Sequence, residues 1–148
     1  MIKILFVCHG NICRSSMAEA MFRNMTDSNE FEIDSAAVSR EELGNPMYPP
    51  AVRKLKEKGI PIGNHRARQV TRRDYEHFDY LICMDDWNVS LLKRLLGADS
   101  DRKICKLLEF AGSEADIADP WYTGDFEKTY RELETGLQGL LKYLKKHE

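Results

Sequence analysis

The chain has 148 residues, 43% of them hydrophobic and 31% charged, with a formal net charge of −2. That size and balance predict one ordinary domain, residues 1–148, with a substantial core, and exclude wholesale disorder. Without a basic excess nucleic acid is not an expected partner, and no apolar run approaches a membrane span.

The first element is the apolar run Ile2-Lys3-Ile4-Leu5-Phe6-Val7, which reads as a central strand covered on both faces and is too short for a secretory signal. A turn from Cys8 to Cys13 follows, and Arg14 and Ser15 open a helix. Met17, Ala18, Met21, Phe22 and Met25 recur in that helix at core-facing spacing, with Ser16 and Glu19 predicted as a capping box. Phe31–Ala36 reads as a second strand. Gly44-Asn45-Pro46 and Pro49-Pro50 mark a loop, and a helix then runs through Val52, Leu55 and Lys58 to stop at Gly59. Thr71 and Asp74 suggest another helix start; Arg72 and Arg73 beside it read as a solvated face.

Asp79–Met84 is predicted as the third strand, with Asp85, Asp86 and Asn88 as caps of the next helix rather than metal ligands. Arg102–Leu108 is predicted as the fourth strand. In the last helix Phe126, Tyr130, Leu133, Leu137, Leu140, Leu141 and Leu144 share one face, and Gly136 and Gly139 predict close approach to a sheet. Strands alternating with helices argue an α/β fold: an open parallel sheet of four strands with helices on both faces. Ligands of such sheets bind at the carboxyl ends of strands, where Cys8 stands.

Chemistry concentrates in Cys8-His9-Gly10-Asn11-Ile12-Cys13-Arg14-Ser15. Backbone N–H groups of a tight turn, joined to a helix N-terminus, form an anion site. The same field favours the thiolate of a cysteine at its mouth. Arg14, folding back, offers a planar fork to two phosphate oxygens. A second segment, Asp119-Pro120-Trp121-Tyr122, holds its aspartate extended ahead of proline, so that the carboxylate is aimed or serves as a cap. The four cysteines, at 8, 13, 83 and 105, lack paired zinc spacing; Cys83 and Cys105 fall in apolar strands as inert thiols, and a reducing, cytoplasmic setting is expected.

These two segments, together with Asp34-Ser35-Ala36-Ala37 and His65-Arg66-Ala67-Arg68, resemble the low-molecular-weight protein tyrosine phosphatases along the whole chain. The resemblance implies four parallel strands flanked by helices, and hydrolysis of protein phosphotyrosine through a phosphocysteine on Cys8. It implies that Arg14 clamps the phosphoryl group within the loop His9–Ser15, and that Asp119 acts as general acid and then base. It further implies hydrogen bonds from Asn11, Ser35 and His65 around the loop, Ser15 assisting the Cys8 thiolate, and no metal or cofactor. Tyrosine-phosphorylated proteins are then the partners, with a cognate tyrosine kinase as counterpart.

Family members often carry a bulky apolar residue after the nucleophile and an aromatic on the loop after the second strand. Here His9 and Glu41 fall at those positions, leaving Trp121 and Tyr122 as the aromatic wall and favouring substrates with positive charge nearby. Three other readings stand beside this one. A phosphoarginine phosphatase would resemble a subgroup with threonine where Ile12 stands. An arsenate reductase would need two further cysteines close together. A phosphocysteine carrier or phosphopeptide-binding module would need no general acid. Cys13, near Cys8 in a wrapped loop, is expected to trap an oxidised Cys8 as a disulfide.

Overall fold

The computed structural model describes residues 1–147. Its apolar run forms β1 (Ile2–Cys8), and the strand's period of two divides the core. Ile4, Phe6 and Cys8 point to one hydrophobic cluster, Leu5 and Val7 to the other. Burial on both faces explains why the run is continuous rather than alternating.

After β1 come α1 (Arg14–Met25), β2 (Phe31–Ala37), α2 (Pro49–Glu57), α3 (Arg72–His77), β3 (Tyr80–Cys83), α4 (Asp86–Leu96) and β4 (Ile104–Lys106). A single turn, α5 (Pro120–Thr123), precedes the long α6 (Phe126–Lys146). All strands are parallel, in the order β2-β1-β3-β4. Residues of α1, α2 and α6 pack on one face of the sheet, those of α3 and α4 on the other. The methionines at 17 and 21 are core, and Phe22 packs edge-on against Phe6 at 5.8 Å. Leu133, Leu137 and Leu140 of α6 are fully buried, each contributing about 1.5–3 kcal/mol.

Three local expectations are corrected. The Ser16–Glu19 capping box does not form, because α1 begins at Arg14 with Cys13 as its N-cap. Ser16 is already inside the helix and donates to the Cys13 carbonyl at 3.0 Å, while Glu19 turns sideways to Arg23 and Ser35. The fourth strand ends at Lys106, since Leu107–Ala111 winds into a 3-10 turn that Gly112 closes with φ +78°. Gly136 and Gly139 meet that turn and not a sheet. A Cβ on Gly136 would stand 2.6 Å from Leu107 Cγ, and one on Gly139 would strike the Phe110 carbonyl.

From β1 the chain crosses to β2 on one side and reaches β3 on the other, so the strand order reverses between β1 and β3. That switch point opens a crevice at the carboxyl ends of the two strands. Cys8 ends β1 and Asp85 follows β3, which brings both to its floor.

Candidate active site

Residues 9–13 wrap from β1 into α1 around the Cys8 sulfur. Asn11 makes the wrap possible: its φ of +63° lies in the left-handed region, which asparagine tolerates better than most residues. Every polar group of this fully buried residue is engaged. Its N–H points at Cys8 Sγ (3.3 Å), and its Nδ2 donates to Ser15 Oγ (2.8 Å). Its Oδ1 accepts from the Arg68 N–H (3.3 Å), and its carbonyl accepts from His65 Nε2 (2.5 Å). Tertiary contacts thus hold a conformation that costs energy locally.

Because Ser15 Oγ accepts from Asn11, its own hydrogen is available to Cys8 Sγ at 2.9 Å. The Ser15 N–H approaches the same sulfur at 3.4 Å. With the Asn11 N–H, three donors converge on one sulfur at the N-terminus of α1. These are surroundings built for an acceptor.

Arg14 is 2% exposed and spans the crevice. Its Nη1 donates to Asp85 Oδ2 (2.7 Å) and the Ile117 carbonyl (2.8 Å), and its Nη2 reaches Asp119 Oδ2 (3.4 Å). Burial opposes the guanidinium charge, but Cys8, Asp119 and Asp85 outweigh it and raise the pKa above the ordinary value. Asp85 caps α4 as expected, accepting from the Asn88 N–H through Oδ1, yet its other oxygen holds the arginine. That second task was absent from the sequence reading.

Asp119 is divided in the same way. Oδ1 accepts from the Trp121 N–H (3.0 Å) and caps α5, while Oδ2 faces Arg14. Pro120 at the first helical position fixes the entry to that turn. A pocket of about 110 Å³ lies between this segment and the loop, lined by Cys8 to Arg14, Glu41, Glu42, Asp119, Trp121 and Tyr122.

The walls of the pocket differ in kind. Trp121 leans on Tyr48 with ring centroids 4.7 Å apart, and Tyr122 is 83% exposed. Tyr48 was not foreseen; its N–H is fixed to the Ile12 carbonyl at 2.9 Å. Opposite them, His9 Nε2 and Glu41 Oε2 meet at 3.0 Å. Both fall at the mouth.

Ser35 does not touch the loop. Its hydroxyl donates to Glu19 Oε1 (2.5 Å), and the same oxygen lies 3.9 Å from His65 Nδ1, so Ser35 reaches Asn11 only through Glu19 and His65. Glu19 is therefore a further supporting residue, hidden in the sequence by its helical position.

Cys13 is buried against Ile12 and Ala67, and burial, reinforced by Cys8, pushes its thiol far up. Burial also raises Cys83 well above the ordinary thiol value and Cys105 to about 12. Arg68 is ion-paired to Asp34 and Asp74, and Arg72, though exposed, donates to the Leu96 carbonyl at the end of α4. Among the described residues no group of three His, Cys, Asp or Glu side chains is placed to hold a metal, and no helix is long and apolar enough to cross a membrane.

A family model for low molecular weight phosphotyrosine protein phosphatase matches residues 3–148. The chain belongs to that family. Within the low molecular weight phosphatases, it is 38% identical to the protein-tyrosine-phosphatase YfkJ of Bacillus subtilis, over 100% of this chain and 99% of the relative. The crystal structure of YfkJ superposes with a TM-score of 0.94, covering 100% of this chain and 97% of that one. The human low molecular weight phosphotyrosine protein phosphatase is 43% identical over 87% of each chain. A structure of the YwlE arginine phosphatase, at 33% identity, aligns with a TM-score of 0.87 over 98% of this chain and 97% of its own.

Proposed function

We propose that this phosphatase-family chain hydrolyses phosphotyrosine in proteins through a phosphocysteine intermediate. The observation that carries the reading is the convergence of Cys8, Arg14 and Asp119 on one small pocket. The Cys8 thiolate attacks phosphorus while Arg14 and the loop N–H groups hold the equatorial oxygens, and Asp119 gives its proton to the departing phenoxide. Water then attacks the phosphocysteine, Asp119 takes the proton, and Cys8 leaves as thiolate with Ser15 donating to it. A non-enzymatic carrier has no use for an aspartate aimed beside the clamp, and the raised thiols of Cys83, buried, and Cys105, half-buried, 22 positions apart, suit no electron relay for arsenate.

The relative YwlE, named an arginine phosphatase, keeps phosphoarginine as the second reading; Ile12, where that subgroup carries threonine, favours tyrosine. Parallel rates on phosphotyrosine, phosphoserine and phosphoarginine peptides decide between them. Preference for phosphotyrosine is expected; a dominant rate on phosphoarginine overturns the assignment. A tyrosine kinase with shared substrates is the implied counterpart, and a reducing compartment such as the cytoplasm suits four free cysteines.

Glu41 tunes selectivity in this reading. An aromatic at its position adds a stacking face, so Glu41→Trp should lower KM for phosphotyrosine peptides roughly two- to tenfold. Peptides with lysine beside the phosphotyrosine should lose part of their advantage over neutral ones, most clearly at low salt. If neither preference moves, Glu41 takes no part in recognition.

Cys13 serves as the resolving thiol. Peroxide converts the Cys8 thiolate to sulfenate with release of water, and Cys13 then condenses with the sulfenic acid, giving a disulfide and a second water. Dithiothreitol should restore peroxide-treated wild type but not Cys13→Ser, whose sulfenic acid passes on to irreversible acids. Equal recovery of the two proteins removes Cys13 from the redox chemistry.

A further inference from the structure

A second cavity, of about 660 Å³, opens on the far side of the phosphate loop between α1 and residues 61–68. Its volume is that of a small-molecule site, and the mechanism above leaves it unused. Met47 and Ile62 supply an apolar floor, with Glu19, Arg23, His65 and Arg66 around it. Most charges there cancel: Glu19 pairs with Arg23 at 2.8 Å, and Asp34 with Arg68 at 3.1 Å. Arg66 is exposed and forms no ion pair among the described residues, which leaves one uncompensated cation beside an apolar floor. Complementarity calls for a small organic anion, with one charged group for Arg66 and a flat apolar body for Met47 and Ile62.

One wall of this cavity is also the clamp on Asn11. His65 holds the Asn11 carbonyl and the Arg68 N–H holds its side-chain oxygen. Residues 61–68 contain no helix or strand of their own. They are tied to the loop on one side and border the cavity on the other. A ligand packed beneath them would stiffen the grip that keeps Asn11 left-handed and its N–H aimed at Cys8.

We propose that this cavity binds a small amphipathic anion and that occupancy raises turnover at Cys8 through His65, Arg68 and Asn11. The coupling rests on the phosphatase reading; the binding does not. Gly63 gives a clean variant, since a Cβ there meets nothing within 4 Å and its backbone needs no positive φ. The probe is 1-anilinonaphthalene-8-sulfonate, titrated by fluorescence with saturating orthovanadate occupying the catalytic pocket. Saturable one-to-one binding is expected, weakened tenfold or more by Arg66→Glu and lost in Gly63→Phe, with both variants checked for wild-type circular dichroism. In steady-state assays on an aryl phosphate the probe should raise kcat about twofold without competing with substrate. His65→Ala should bind the probe yet lose that response.

Displacement of the probe by orthovanadate, or binding indifferent to both variants, overturns the site. Binding at the cavity with kcat unchanged or lowered overturns the coupling. Absence of wild-type turnover on every phosphorylated peptide rejects the phosphatase reading instead, and the fluorescence result stands apart from it.

Discussion

Cys8→Ser is expected to abolish turnover of phosphotyrosine peptides, with a loss on the order of 10⁴-fold or more, as when a catalytic nucleophile is removed. A serine hydroxyl at the same place would meet the same Ser15 and Asn11 donors, but donors stabilise an anion only once it has formed, and an alkoxide is far harder to form than a thiolate. The loop N–H groups and Arg14 are untouched, so the variant should still bind orthophosphate or orthovanadate. Intact anion binding with dead chemistry separates nucleophile from cradle. Residual activity above about 1% of wild type overturns the Cys8 thiolate as the required nucleophile, given losses of the size seen for other nucleophiles.

Asp119→Ala should cost about 10²–10⁴ in kcat on phosphotyrosine, whose phenoxide leaves poorly without a proton. An activated aryl phosphate, with a better leaving group, should suffer much less. The geometry complicates the alanine variant, because Asp119 also caps α5 and contacts Arg14. Asp119→Asn preserves the capping oxygen and offers no acid proton. If the asparagine variant falls as far as the alanine one on phosphotyrosine, proton transfer is the lost function. Equal losses on both substrates in both variants would mark Asp119 as a positioning residue.

What could be read in the chain beforehand was whatever is local. Ile2 to Ser15 carries a strand, a turn and a helix start in continuous sequence, and the apolar stripe of α6 repeats at the helical period. Bifunctional side chains were opaque. Asp85 looks like a cap and is one, but nothing in its neighbours in sequence reveals that its second oxygen meets an arginine 71 positions away. Glu19 invited a capping box by spacing alone, while its real partners, Ser35 and His65, sit on other elements. The fourth strand is shorter than its apolar run, since Leu107 and Leu108 continue the run but wind into a 3-10 turn. Gly136 leaves the space that the Leu107 side chain takes up there.

Arg14 lies 103 positions before the carbonyl of Ile117 and 105 before Asp119, its partners across the crevice. During synthesis the cysteine and its loop therefore leave the ribosome long before Ile117 and Asp119. Contacts so distant along the chain close late, since loop-closure entropy must be met before they return any stability. A nascent chain ending short of Ile117 lacks α6 and both of these partners, however well its loop is formed. The order in which the polypeptide is made thus leaves the Cys8 loop without its partners across the crevice until the whole domain is in place.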